Sequence, residues 1–277
     1  MPVSRPARWH FTQDPDAFRR VAGRCAEREA ARNTLLLTQL DVPGVRGWWG
    51  GPDGPDGEGA GLCQVVGEPG VLLLGAMPVD AARELAGRLP GEGRVSTVRG
   101  ETGAVEAYAD ACGREVVGTR RMRLFRLGEL TPPAPAPPGR DRLARPEDLR
   151  GALAWMREFA RDIGEEPDAD YTPNVEARIA EGRLRFWEVD GEPVAMASVS
   201  RLVAGQVRVS PVYTPPAHRA RGYGGAVTAA VSRSALTAGA AEVLLFTDLA
   251  NPTSNALYRR LGYRPLADHT AVELGPP

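Results

Sequence analysis

Cysteine is scarce in this chain and forms no pattern. Cys25, Cys63 and Cys112 make no CxxC pair and leave an odd thiol among 277 residues, which argues against a disulfide framework and suits a reducing compartment. Histidine is as scarce. His10 and His269 have no suitably spaced metal partner, His218 reads as a surface residue, and no metal is expected. An excess of one charge sign is also missing. The formal net charge of −1 gives no electrostatic footprint for nucleic acid or an anionic membrane, so any anion must be bound locally. No stretch approaches the roughly 18 apolar residues of a membrane span, and the opening Met1-Pro2-Val3-Ser4-Arg5-Pro6 lacks the apolar core of a signal peptide. The expectation is a cytoplasmic protein with neither nucleic acid nor membrane as a partner.

Glycine and proline are plentiful and mark the organisation. The length exceeds the roughly 100 to 200 residues of one typical domain, and the sharpest boundary is Thr131-Pro-Pro-Ala-Pro-Ala-Pro-Pro-Gly139, extended polyproline that cannot enter a helix or central strand. The reading is a domain over 1–130, a linker over 131–140 and a second domain over 141–277. In the first, Asp14 caps a helix before Pro15, and 43–61, glycine-rich and without apolar periodicity, reads as a surface loop. Strands follow at 62–66 and 71–74, a helix at 79–89, a strand at 94–98, a helix at 101–112 and a strand at 116–127. Leu72 to Asp80 runs from strand to helix but carries no glycine pair and no arginine.

In the second domain, helices are expected over 146–163 and 174–180, each stopped by glycine. Strands at 183–189 and 193–201 are joined by Asp190-Gly191, a two-residue hairpin signal. Gln206 to Tyr213 is a third strand, in which Pro211 has no N–H for the ladder, so a bulge or splayed pairing is expected there. A helix over 223–238, a strand over 242–247, a helix over 254–261 and a last pair of strands from Tyr263 complete the pattern.

The most informative segment joins the third strand to its helix. Arg219, Gly222 and Gly224 are spaced RxxGxG. Small residues there let several peptide N–H groups converge on one anion, the following helix aims its positive end at the same place, and Arg219 and Arg221 suit phosphate oxygens. Taken alone, the spacing also describes a glycine-rich turn with solvated arginines.

With the Val212-Tyr213-Thr214-Pro215-Pro216 strand end before it and Asn251-Pro-Thr-Ser-Asn255-Ala-Leu-Tyr258-Arg-Arg-Leu-Gly262-Tyr263 after it, about 141–274 resembles the GNAT superfamily of acyl-CoA-dependent N-acyltransferases. The resemblance implies an α+β GNAT fold: a mixed, mostly antiparallel sheet flanked by helices, with a splayed strand before a pyrophosphate loop. The first half would be a smaller, degenerate GNAT-like α/β domain, as in tandem members. It implies acetyl-CoA as co-substrate, with Val212, Tyr213 and Thr214 holding pantetheine through their backbone. Arg219, Ala220, Arg221, Gly222, Tyr223, Gly224 and Gly225 would hold the pyrophosphate, and Asn251 and Asn255 would touch the CoA arm. Tyr258 takes the family's place of general acid; the other reading is a core tyrosine.

The sequence departs from the family at the base. Many relatives carry a glutamate on the strand before the loop, whereas 206–214 has no carboxylate. Asp248 and Glu188 remain as candidates, each equally readable as a structural charge; a water chain or a partly neutral amine would remove the need. The acidic stretch from Trp155 to Tyr171, with Glu158, Asp162, Glu165, Glu166, Asp168 and Asp170, reads either as a solvated face or as an attractor for a cationic amine. The leading expectation is an acetyl-CoA-dependent N-acetyltransferase acting by direct attack of a primary amine, carried by a small molecule or a protein. The alternative is an acyl-CoA-binding regulatory module with decayed catalysis.

Overall fold

A computed structural model describes residues 8–50 and 60–277. Residues 1–7, where the missing signal core was read, and 51–59, inside the stretch read as a loop, lie outside the described residues. Contacts divide the chain into two compact units. One holds the described residues up to Leu124 with Asp248–Ala250 and Leu266–Pro277; the other holds Phe125–Thr247 and Asn251–Pro265.

The first unit contains β1 (Arg8–Thr12), α1 (Pro15–Arg28), α2 (Thr34–Leu37), β2 (Arg46–Gly50), β3 (Gly61–Val66), β4 (Gly70–Leu74), α3 (Val79–Leu85), β5 (Val95–Glu101), α4 (Thr102–Cys112) and most of β6 (Val116–Leu127). Asp14 caps α1 as expected, its Oδ1 accepting from Asp16 N at 2.8 Å, and Phe18, Ala22 and Ala26, four apart, bury one face. β1 to β4 run antiparallel in succession, and β4 pairs with β5 in parallel. The next partner of β5 is the chain's last strand, β12 (Tyr263–Leu274), in an antiparallel register from His269↔Glu101 to Glu273↔Thr97.

Three differences from the sequence reading have physical causes. β2 lies inside the stretch read as a loop. Its glycine reflects close packing rather than turning: a Cβ on Gly47 would stand 2.8 Å from Cys63 Sγ and from the Phe11 ring. The final strands are one strand, and its Leu266–Leu274 portion, drawn above with 141–277, makes its contacts in the first unit. There Val272 and Leu274 enter the core and Thr270 bonds Thr102 at 2.9 Å. Finally, β1 and the four-residue β7 (Arg140–Leu143) were not foreseen, because such short segments carry too little alternation to read.

The second unit continues with α5 (Leu149–Asp162), α6 (Thr172–Ala180), β8 (Leu184–Val189), β9 (Glu192–Val199), β10 (Gln206–Tyr213), α7 (Tyr223–Thr237), β11 (Glu242–Asp248) and α8 (Pro252–Arg260). β7 to β10 are antiparallel neighbours and β10 pairs with β11 in parallel. Asp190 and Gly191 both adopt positive φ, the turn that the right-handed strand twist favours. Each sheet face has its own core. Val207, Val209, Val243 and Leu245 pack with α7, Tyr258 and Tyr263, whereas Phe186 and Met196 pack with Ala152 and Met156 of α5 and Val175 and Ile179 of α6.

The irregularity expected at Pro211 decides which face the end of β10 serves. The β9–β10 register runs Val209↔Val199 and then Val212↔Ala197, a shift between Val209 and Val212. One inserted residue reverses the alternation of side chains. Tyr213, which simple alternation would place with Val207 and Val209, therefore belongs to the α5/α6 core, and Val212 turns towards α7.

A chain ended at Pro265 should lose the first unit's fold. Removing the strand beside β5 takes Val272 and Leu274 from the core, at about 1.5–3 kcal/mol each, and leaves a row of unpaired backbone groups. Hydrogen exchange of the β5 amides should then show no slow positions; protection equal to that of the full chain would contradict the assignment.

Candidate functional site

The site begins where β10 and β11 part. Their parallel register covers Gln206↔Glu242 to Val209↔Leu245 and ends there, while β10 runs on to Tyr213 and keeps β9 as its neighbour. Past the bulge at Ser210-Pro211, the ladder between β10 and β11 does not continue.

Beyond Tyr213 the chain makes a short 3-10 turn, Pro216–His218, and enters α7. Ala220 has φ 61° and Gly222 φ 84°. Glycine takes the left-handed region freely, but a residue with a Cβ persists there only when its surroundings enforce it, at about 1–2 kcal/mol. The helix N-terminus carries no side-chain cap, and its first internal bond runs from Ala226 N to Gly222 O. The N–H groups of Tyr223, Gly224 and Gly225 thus stand before the ladder with the helix dipole behind them, a standard anion cradle.

The glycines have neighbours that sequence reading did not foresee. A Cβ on Gly225 would stand 3.0 Å from Leu257 Cδ1, and one on Gly224 would stand 3.3 Å from Thr214 Oγ1; the helix entry is small because α8 and the strand end crowd it. The polyproline segment, read as a spacer, packs on this loop. Pro137 lies 3.6 Å from the Gly222 Cβ position and Pro133 3.6 Å from that of Gly225, and Trp187 Nε1 fastens the segment by donating to Pro138 O at 2.8 Å.

The two arginines divide. The Arg219 guanidinium donates to Asp162 Oδ2 at 2.6 Å and to Thr214 O at 2.9 Å, and lies 5.9 Å from the Tyr213 ring centre. It ties α5 to the loop and half-satisfies its own charge there. Arg221 is exposed and makes no ion pair among the described residues. His218, expected at the surface, is partly buried, with Nδ1 enclosed and unbonded.

On the α8 side, Asn251 caps the helix, its Oδ1 accepting from Ser254 N at 3.0 Å, and Asn255 Nδ2 donates to Asn251 O at 2.7 Å. Tyr258 is 8% exposed and packs edge-on against Tyr263, centroids 6.0 Å apart. Burial pushes its phenol up to about 12, which keeps the hydroxyl protonated at any physiological pH. Against a thiol near 8.5, full proton transfer is uphill, so Tyr258 is suited to donate a hydrogen bond to a departing sulfur and to release the proton only as negative charge builds there.

The candidate bases fare unequally. Glu188 is spent on Arg142, whose guanidinium also holds both Asp148 oxygens at 2.6 and 2.9 Å. Asp148 is held below the usual carboxylate range mainly by that bond. Asp248 Oδ1 accepts from Ala250 N at 2.7 Å. Within the acidic stretch, Glu158 Oε2 accepts from the Tyr213 hydroxyl at 2.7 Å and Asp162 holds Arg219; among the described residues no cluster of histidine, cysteine and carboxylate groups is placed to hold a metal.

The family model described as "Acetyltransferase (GNAT) family" matches residues 151–263, the span that holds the parted strands, the loop and α8. Residues 151–263 form a GNAT acetyltransferase domain. Solved structures share the fold over almost the whole chain. A GNAT-family acetyltransferase from Colwellia psychrerythraea matches with TM-score 0.63 at 12% identity, covering 97% of this chain and all of that one. An N-acetyltransferase of Sphaerobacter thermophilus gives 0.62 at 17%, covering 98% and 97%. A tandem GNAT protein from the clavulanic acid biosynthesis pathway gives 0.56 at 12%, covering 98% and 100%. No curated protein matches the sequence significantly. The matched segment thus carries the likeness to a family of acetyltransferases, whose general chemistry is acyl-CoA-dependent acetyl transfer, and the first unit shares the fold of the solved GNAT structures.

That first unit has the domain's topology without its opening. β4 and β5 stay paired through Leu73↔Arg99, and a Cβ on Gly100 would stand 2.7 Å from Leu74 Cβ and 3.0 Å from Leu74 O. Asn33 Oδ1 accepts from Ala76 N at 2.8 Å, where a loop N–H would have to face a phosphate, and α3 starts at Pro78–Val79 and is seven residues long. The Gly75 and Ala76 N–H groups at this turn are thus bonded within the unit, to Leu62 O and Asn33 Oδ1. Among the described residues no helix is long and apolar enough to cross a membrane.

A raised folded-state pKa adds stability below the unfolded value, and that stability is lost as pH climbs through the folded value. The Tyr258 contribution should therefore be complete below pH about 10 and fade towards pH about 12. Ultraviolet titration should show one late-ionising phenol fewer in Tyr258→Phe than in the parent; an unchanged titration curve would contradict the burial of this hydroxyl.

Proposed function

We propose that the chain transfers the acetyl group of acetyl-CoA to a primary amine by direct attack, with both substrates bound at once, and that the second unit, the body of the domain drawn as 141–277, carries the chemistry. One observation supports this most: β10 leaves β11 after Val209 and leads into a loop with Ala220 and Gly222 in left-handed conformations, at an uncapped helix start. The residues fit an acyl-CoA. The open backbone of Val212, Tyr213 and Thr214 would take the amides of the pantetheine arm, and the N–H groups from Ala220 to Gly225 with Arg221 would take the pyrophosphate. Asn251 and Asn255, at the start of α8, would border the arm. Acetyl-CoA supplies an activated acyl carbon and a thiol leaving group; Tyr258 supplies the hydrogen bond and proton for the sulfur.

A small-molecule amine is the acceptor class in this reading, and a protein amine is a second outcome of the same assay. The three free cysteines suit a reducing compartment such as the cytoplasm. An acyl-CoA-binding module without turnover is the competing reading; retention of a buried, protonated Tyr258 on the α8 side favours the enzyme.

Thiol release from acetyl-CoA, measured with and without a panel of amines, separates the two. Amine-dependent release is expected, and binding without release from any amine would establish the module. Tyr258→Phe should lower kcat about 100-fold or more while leaving acetyl-CoA affinity within about twofold, in line with a lost general acid; an unchanged kcat would remove Tyr258 from the mechanism. Arg221→Ala should weaken acetyl-CoA binding about tenfold, of the order of one charge-assisted phosphate contact, with kcat retained at saturation. Equal affinity in the variant would exclude Arg221 from the donor site.

A further inference from the structure

The family's usual carboxylate is missing from β10, yet the strand's bulge brings another to its end. Because the register shift reverses the alternation, the Tyr213 side chain enters the α5/α6 core at 4% exposure and its hydroxyl donates to Glu158 Oε2 at 2.7 Å. Glu158 lies on α5, three residues after Trp155, whose ring centre is 6.1 Å from that of Tyr213, and four before Asp162, which holds Arg219. One helix face thus presents an indole, a tethered carboxylate and an ion-paired carboxylate to the strand end. Tyr258 belongs to the opposite core, beside α7. The parted strands therefore have a proton donor on one face of the sheet and a carboxylate on the other, so that separate groups are available to deprotonate the nucleophile and to protonate the departing sulfur.

We propose that Glu158 is the group that receives the acceptor's ammonium and accepts its proton, with Tyr213 as the positioning residue that holds the carboxylate. The proposal rests on the acetyl-transfer reading above. The amine enters as R–NH3+, and Glu158 accepts one proton. The freed nitrogen lone pair forms the C–N bond to the acyl carbon, the C–S bond breaks, and its electron pair stays on sulfur. Nitrogen loses two protons in all: one is matched by the proton that sulfur gains from Tyr258, which refills from solvent, and the other passes through Glu158 to solvent. The products are the amide, free CoA thiol and one released proton. The acceptor class that fits is a primary alkyl ammonium with an apolar or aromatic-tolerant neighbourhood, since Trp155 and Tyr213 form the walls beside the carboxylate.

Glu158→Gln keeps the volume and an oxygen that accepts from Tyr213, so α5 stays docked while the charge and the proton acceptor are lost. Thiol release with spermidine, tyramine and glucosamine as probes should show amine kcat/KM down about 100-fold or more, the scale of a general base, with acetyl-CoA KM and Tm unchanged. Tyr213→Phe, which leaves the carboxylate but frees it, should lose about tenfold, through kcat rather than acetyl-CoA KM. Wild-type turnover combined with Glu158→Gln kcat/KM within about threefold would overturn this proposal alone. A loss that only tracks a fall in Tm or a rise in acetyl-CoA KM, in both variants, would show that the pair merely docks α5 and would overturn it as well. Wild-type protein inactive with every probe would instead remove the acetyl-transfer reading, and this proposal with it.

Discussion

The separation of β10 from β11 after Val209 is the constraint on which the rest of the second unit depends. A parallel pair that stayed joined would consume the backbone groups that an extended ligand needs, and unpaired groups buried without a partner cost about 1–3 kcal/mol each. The chain sustains the opening because Pro211 offers no N–H to a ladder and because a bulge against β9 takes up the irregularity. The same bulge has a second effect. It turns Tyr213 across the sheet, so the strand end that parts from β11 also delivers a side chain to α5.

The two units show what one topology does with and without that opening. In the first, Gly100 lets β4 and β5 approach too closely for any group to enter, and Asn33 uses both its amide atoms, on Ala26 O and Ala76 N, to seal the strand-to-helix turn. In the second, the equivalent turn has no side-chain cap, a strained Ala220 and a 15-residue helix behind it. The contrast is one of satisfied against available hydrogen-bonding groups in a shared sheet order. Leu266–Leu274 completes the first unit from the far end of the chain, so its core depends on residues that follow the acetyltransferase domain in sequence.

Most of the architecture was legible because the signals were local. Asp14 before Pro15, Asp190-Gly191 and Pro211 each specify backbone chemistry within a few residues, and the structure shows a cap, a positive-φ hairpin and a bulge at those places. What escaped was non-local. The glycine of Gly47 answers to Cys63 and Phe11, neighbours that appear only on folding. The engagement of Arg219 with Asp162 spans 57 positions, and no spacing rule announces it. The Tyr213–Glu158 bond was invisible for a further reason: alternation puts Tyr213 on the wrong face unless the bulge is counted. The acidic stretch was visible as composition, but composition could not show that two of its members, Glu158 and Asp162, are committed to the strand end while others remain on the surface.

In the proposed function the donor is held by the parted strand and its loop, and only there. Hydrogen exchange of the full chain with and without CoA tests it most directly. Slowed exchange is expected across 212–225 and at the start of α8, with 72–80 unchanged. Slowed exchange at 72–80, or none at 212–225 under saturating CoA, would contradict it.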